Sequence, residues 1–240
     1  MKKIIAYSLY NDHEYYLFGM LENILLAQKI FSDWIIRIYY NDTVPPKWIN
    51  TYKSFDHVEL IFMDEHHGHL NAIWRLLSLY DNTIDIMISR DCDSPLTVED
   101  LNQVNNFIES DKTFLVQLYF RNPLFKIFMG GFGYKIKSNL LDDTHSDYIE
   151  FTNSEKIKNE THYTKDQIFM NNFIYDKIKN DCLVYAGSKK VRGGYLNIYN
   201  NMIINDSKIS IFDDFHMASK YLNLDSIKRI SKNKKLRIVK

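Results

Sequence analysis

The sequence predicts an α/β protein: a mainly parallel sheet flanked by helices, followed by a more irregular second half. Three observations carry this. Short β-branched and aromatic runs recur at residues 3–10, 34–40, 58–63 and 84–89. Stretches with apolar residues at three- and four-residue steps separate most of them. The 240 residues, 45% apolar and 25% charged, have the balance of one globular domain.

Residues 3–10 read as a buried strand that ends at the Asn11-Asp12 turn. A helix over residues 14–31 follows, its stripe made by Leu17, Met20, Leu21, Ile24, Leu25 and Ala27. Residues 34–40 form a second strand, stopped by Asn41-Asp42 and Pro45-Pro46, and Pro46 suits the first turn of a short helix to residue 52. A third strand at 58–63, a helix at 69–80 and a fourth strand at 84–89 complete the alternation. Thr97 and Asp100 are spaced as a capping box for a helix over 97–109, and 113–120 returns as a strand. Beyond this the pattern loosens. Gly130-Gly131-Phe132-Gly133 breaks regularity, residues 142–163 read as a polar loop with helical fragments, and a helix spans 164–178. The basic tail at 228–240 reads as a terminal helix or a frayed end. There is no internal repeat.

Composition excludes several classes of partner. Lys plus Arg equals Asp plus Glu at 30 each, so no overall field recruits nucleic acid or an acidic membrane. No apolar run approaches the roughly 20 residues of a membrane span. The opening Met-Lys-Lys-Ile-Ile-Ala lacks a secretory apolar region. Cys92 and Cys182 allow at most one bridge and form no C-x-x-C pair, which predicts a reducing, cytoplasmic compartment.

The strongest chemical signal is Ser89-Arg90-Asp91-Cys92-Asp93-Ser94. Two carboxylates follow a buried strand, where ligands bind in open α/β sheets. If the segment is extended, Asp91 and Asp93 share one side and Cys92 the other. Hard divalent cations bind through one or two carboxylates and complete their shell with water and phosphate oxygens. An Asp-x-Asp after a strand is also ordinary turn chemistry. Arg75, on the preceding helix, is suited to pair with Asp91 or a phosphate. Gly130 and Gly131 permit a close backbone approach. Thr164 and Gln167 have capping-box spacing and put Asp166 in a first helical turn, where the dipole favours its ionised form. His66, His67 and His69 are too irregularly spaced for a zinc set and read as a polar loop.

Taken in order along the chain, Ser8-Leu9-Tyr10, Trp74-Arg75, Asp85, Arg90-Asp91-Cys92-Asp93-Ser94, Gly130-Gly131-Phe132-Gly133 and Asp166-Gln167-Ile168-Phe169 resemble the GT-A-type glycosyltransferase-like family with an Arg-Asp-x-Asp-Ser motif. The resemblance implies a Rossmann-like GT-A sheet in a single domain, with residues 1–96 binding the nucleotide sugar and 97–240 forming the acceptor half. It also implies Mn²⁺ or Mg²⁺ on Asp91 and Asp93, with His216 as a third ligand. Ser8, Tyr10, Arg75, Arg90, Asp91, Gly130 and Gly131 would serve the donor, and Asp166 would be the base. The implied partners are a nucleotide-sugar donor and a sugar or glycan acceptor. Two departures stand out: Pro95 follows the motif where Arg is common, and residues 119–123 lack an Arg-Asp-His-Pro.

Two other readings use the same residues. A haloacid-dehalogenase-type phosphatase also carries Asp-x-Asp at a strand end with Mg²⁺, but its motif follows the first strand rather than the fourth. A non-catalytic carbohydrate-binding protein with the same fold would use the 15% aromatic content for stacking.

Overall fold

The computed structural model describes residues 1–118, 127–159 and 164–186. Residues 119–123, His216 and the tail at 228–240 lie outside the described residues. In chain order the elements are β1 (Lys3–Leu9), α1 (Glu14–Ile30), β2 (Ile35–Tyr40), α2 (Pro46–Lys53), β3 (Val58–Phe62), a 3₁₀ segment (Gly68–Tyr80), β4 (Ile86–Ser89), α3 (Val98–Glu109) and β5 (Phe114–Leu118). A short 3₁₀ turn (Met129–Gly131) leads into β6 (Phe132–Lys135). Then come α4 (Thr144–Asn153), α5 (Glu155–Asn159), α6 (Lys165–Phe169), a π turn (Met170–Ile174), α7 (Tyr175–Ile178) and β7 (Cys182–Ala186).

The strands make one seven-stranded sheet in the order β3-β2-β1-β4-β6-β5-β7. All pairings are parallel except those of β6, which runs antiparallel to both β4 and β5. The chain builds outward from β1 to β3 and then returns to place β4 on the other side of β1. That reversal opens a crevice at the carboxyl ends of β1 and β4, the usual ligand position in such sheets. Ala6 pairs with Ser89 in the β1/β4 register, so Arg90 and Asp91 leave the sheet beside Tyr7 and Ser8.

Strand alternation divides the core into two layers. Ile5, Tyr7 and Leu9 face α1, α2 and α3, in a cluster with Leu21, Ile24, Trp48 and Phe107. Ile4 and Ala6 face the other way, toward Leu70, Ile73 and Leu76 of the 3₁₀ segment and Phe169 and Met170 farther along. Among the described residues no helix is long and apolar enough to cross a membrane. Cys92 and Cys182 are both free thiols.

The structure corrects several local expectations. Residues 68–80 wind as 3₁₀ turns rather than an α-helix, and Ser8 supplies a reason. Its hydroxyl donates to the Ala72 carbonyl at 3.0 Å and accepts the Arg75 amide at 2.9 Å. A side chain thus sits within a backbone rung, one of the recognised causes of helix distortion. The capping box at Thr97 forms, with Thr97 and Asp100 exchanging bonds. The one at Thr164 does not, because Gln167 is turned away to accept the Met129 amide at 3.2 Å. Regularity does not end at the glycines: Gly133 belongs to β6 in the sheet interior, and a Cβ there would meet Leu115 Cβ at 3.0 Å and Ile88 Cγ2 at 3.2 Å. The strand β7 was not expected, whereas the helical fragments expected after residue 142 are present as α4 and α5.

Candidate functional site

The chain leaves β4 as a tight turn rather than an extended segment, with the Ser94 amide donating to the Asp91 carbonyl at 3.1 Å. The expected i, i+2 alternation therefore does not describe Asp91 and Asp93. Cys92 still faces inward, where its thiol donates to the Ser8 carbonyl at 3.2 Å. Burial pushes that thiol well above the usual range, so it is an inert packing group rather than a nucleophile. Asp91 stays partly exposed beside the crevice, and Asp93 lies toward Tyr15 and Tyr16 at the start of α1. Burial, then the charges of Asp93 and Asp91, raises the Tyr16 phenol.

Arg75 is the centre of the arrangement. It is 4% exposed, and its guanidinium joins two segments, the end of β4 and α6. One guanidinium nitrogen donates to Asp91 Oδ1 at 2.5 Å and to the Arg90 carbonyl at 2.6 Å, and another donates to Asp166 Oδ2 at 2.9 Å. A planar fork can hold two carboxylates and a carbonyl in fixed directions, which an ammonium cannot. Ser8 holds the Arg75 amide from below, so Ser8 reaches the site through Arg75.

Asp166 sits in the first turn of α6 and is 6% exposed. Besides Arg75 it accepts the Gln167 amide at 2.9 Å. Burial raises its carboxyl above the usual range, against the pull of Arg75. The dipole expectation for this position is thus overridden by desolvation, in a helix of only five residues. Gly130 presses its backbone on Asp91: a Cβ there would lie 2.7 Å from the Asp91 Cγ. Gly131 faces elsewhere, against Gln117 of β5, where a Cβ would meet the Gln117 Cβ at 3.0 Å.

Tyr10 joins the site, edge-on to Trp74 at 6.2 Å, and burial followed by the Asp166 charge raises its phenol. Trp74 is fixed in turn by its indole N–H to Glu65 at 3.0 Å. The Arg90 side chain does not join. It lies on the α3 side of the sheet, 3.5 Å from Asp100, and contributes only its carbonyl to Arg75. The described part of the site therefore gathers Asp91, Arg75, Asp166, Gly130 and Tyr10, with Asp93 farther along the turn toward Tyr15 and Tyr16. His216 lies outside the described residues, and among those described no group of three or more His, Cys, Asp or Glu is placed to hold a metal ion. His66 pairs with Asp42 at 3.3 Å, in keeping with a polar loop.

Two further residues matter here, one read from the sequence as a helix cap and one that no motif includes. Gln167 ties the Asp166 turn to Met129, next to Gly130. Asn23, fully buried in α1, bonds the backbone of the acidic turn. Its signal in the sequence is an amide inside an otherwise apolar helical stripe.

No family model and no curated protein matches the sequence. Solved structures do match. Residues 1–349 of TarS from S. aureus superpose with a TM-score of 0.52 at 16% identity, over 85% of this chain and 66% of that one. The same protein in complex with UDP gives 0.50 at 15% identity, again over 85% and 66%. In complex with UDP-GlcNAc it gives 0.51 at 14% identity, over 80% and 61%. This chain thus spans less than two thirds of the length of these TarS structures, and at these identities the likeness establishes the Rossmann-like GT-A fold.

The Arg75 geometry generates a prediction. Removing one partner of a buried ion pair costs about 3–5 kcal/mol, and in a chain of this size each kcal/mol lowers Tm by roughly 2–4 °C. Arg75→Ala is therefore expected to lower Tm by about 6–20 °C, with Arg75→Lys recovering only part of it. Differential scanning calorimetry checks this. A fall below about 2 °C for Arg75→Ala contradicts the buried bridge.

Proposed function

We propose that this chain is a glycosyltransferase that moves a sugar from a nucleoside-diphosphate sugar onto an acceptor hydroxyl with help from a divalent cation. The observation that carries it is Arg75 bridging Asp91 and Asp166 at the crevice between β1 and β4. The fold shared with TarS, whose solved complexes contain UDP and UDP-GlcNAc, supports a nucleotide-sugar donor.

Asp91 and Asp93 are hard oxygen donors on one turn at the crevice, and Asp91 keeps part of its carboxylate exposed. Such a pair fits Mn²⁺ or Mg²⁺, which take one or two carboxylates and leave positions for phosphate oxygens. When bound, the ion supplies positive charge against the diphosphate leaving group. Arg75 holds Asp91 by Oδ1, and the close Gly130 backbone limits where the other oxygen can go. Tyr10, beside the end of β1, offers an aromatic edge to the nucleotide.

Asp166 is the candidate base for an inverting transfer. It would accept the proton of the attacking hydroxyl, and burial makes it a stronger base than an ordinary carboxylate. Arg75 and the backbone and side-chain amides of Gln167 occupy three of its roughly four lone-pair sites, the last of them at 3.5 Å, which leaves one acceptor position. The phosphatase reading is not favoured. It needs a nucleophilic Asp after the first strand, whereas β1 ends in Ser8-Leu9 and Asp91, after the fourth strand, is bound by Arg75.

Calorimetric titration with a panel of nucleoside diphosphates tests the donor site. Binding is expected with Mn²⁺, and to be lost in EDTA and in Asp91→Asn/Asp93→Asn, because neutral amides cannot hold a hard cation against its hydration shell. Equal affinity in all three conditions sinks the metal reading.

Asp166→Asn is expected to lower the transfer rate about 10²–10⁴-fold while nucleotide binding survives. Because the active form is the carboxylate, the wild-type rate falls as pH drops through its raised pKa. The acid limb of the profile is thus expected above the ordinary Asp value of about 3.9. Transfer within about threefold of wild type would make Asp166 a helix-start residue and favour a retaining mechanism.

A further inference from the structure

The acidic turn is anchored by a side chain that no motif includes. Asn23 is fully buried in the middle of α1, in a stripe that otherwise holds Met20, Leu21, Ile24 and Ala27. All its hydrogen-bonding groups point at backbone. Its amide nitrogen donates to the Gly19 carbonyl at 3.0 Å and to the Cys92 carbonyl at 3.1 Å, and its oxygen accepts the Leu96 amide at 2.9 Å. One side chain thus closes both ends of the segment that carries Asp93, Ser94 and Pro95. One turn earlier, Gly19 lets the helix backbone settle directly on that segment. A Cβ at Gly19 would stand 3.1 Å from the Cys92 carbonyl carbon and 3.2 Å from the Asp93 Cα.

We propose that Asn23 is a positioning residue, which through Cys92 and Leu96 fixes Asp93 relative to Asp91 so that the two carboxylates are ready to hold a divalent cation. This rests on the metal reading of the same site. Asp91 is already held by Arg75 and Gly130, whereas the backbone on its far side is held from α1. Without the clamp, two buried backbone groups lose their partner and the turn must find others, so its present geometry is no longer the preferred one. A cation that binds a reordered pair first has to recover the original arrangement, and its apparent affinity falls by the fraction of chains in the competent form.

The full chain is tested as wild type, Asn23→Leu, which keeps the volume, and Asn23→Ser, which keeps a small polar side chain. Mn²⁺ is titrated into each, alone and with UDP present, and bound ion is read from loss of the free-ion EPR signal. Amide hydrogen exchange of the metal-free proteins follows Leu96, with β1 amides as the internal control. The expected result is a Mn²⁺ midpoint shifted about tenfold higher in the variants, or ~1.4 kcal/mol, with Leu96 exchanging faster while β1 stays protected. A merely structural role would lower the amount of binding-competent protein and leave the midpoint in place. Should Asn23→Leu fail to fold, Asn23→Ser carries the measurement. Variant midpoints within about twofold of a wild type that binds Mn²⁺ overturn this proposal alone. A wild type that takes up no Mn²⁺, with or without UDP, overturns the metal reading and the proposal together.

Discussion

A guanidinium taken out of water is the constraint around which the crevice is built. Burying a charge costs several kcal/mol unless partners replace its hydration, and Arg75 obtains them from Asp91, Asp166 and the Arg90 carbonyl. Those partners come from the end of β4 and from α6, segments far apart in sequence. The bridge therefore fixes their relative position more tightly than apolar contact would, because charge-assisted bonds to a planar fork are directional. Asp91 and Asp166 both draw on this one guanidinium, so the two carboxylates are held at fixed positions relative to each other.

Strand alternation then separates this chemistry from its scaffold. Arg90 and Asp91 are consecutive, and leave β4 toward opposite faces of the sheet. Asp91 meets Arg75 of the 3₁₀ segment, whereas Arg90 passes to α3 and Asp100, where Gln117 also donates to Asp100 at 3.3 Å. One residue of the motif pairs with Arg75 and its neighbour secures the strand end from behind. The same division recurs in β1. Tyr7 is buried in the α1–α3 layer, and Ser8 turns to the other face to hold Ala72 and Arg75.

Much of the first half of the chain was legible in its sequence, because the forces that set it are local. β-branched runs ended by Asn-Asp or Pro-Pro became β1 and β2, and the Thr97-Asp100 spacing became a capping box. Arg75 and Asp91 were identifiable as partners because a strand end after an amphipathic segment leaves few places for either. What was not legible depends on distant contacts. The 3₁₀ winding of residues 68–80 comes with a hydroxyl from β1, and Gln167 looked like a cap but serves Met129. Gly133 read as a breaker, yet a strand between β4 and β5 needs a residue without a side chain where Leu115 and Ile88 close in. Gly131 was paired with Gly130 in the sequence, but only Gly130 touches the acidic turn.

Asp166 shows why position in an element is a poor guide to protonation. A first helical turn offers a carboxylate favourable amides, and Arg75 adds an opposite charge at 2.9 Å, so both nearby influences stabilise the anion. Burial opposes them and is the larger effect, and the neighbouring Asp91 charge adds to it. The dipole is weak here because α6 has a single short run before its π turn, and dipole effects fade within a turn. Desolvation does not fade in that way. It depends on how deeply the carboxylate is enclosed, and α6, which carries it, places Phe169 in the same apolar layer as Ile73 and Leu76 of the 3₁₀ segment. The basicity of the candidate base is therefore set by the packing of the core beneath it.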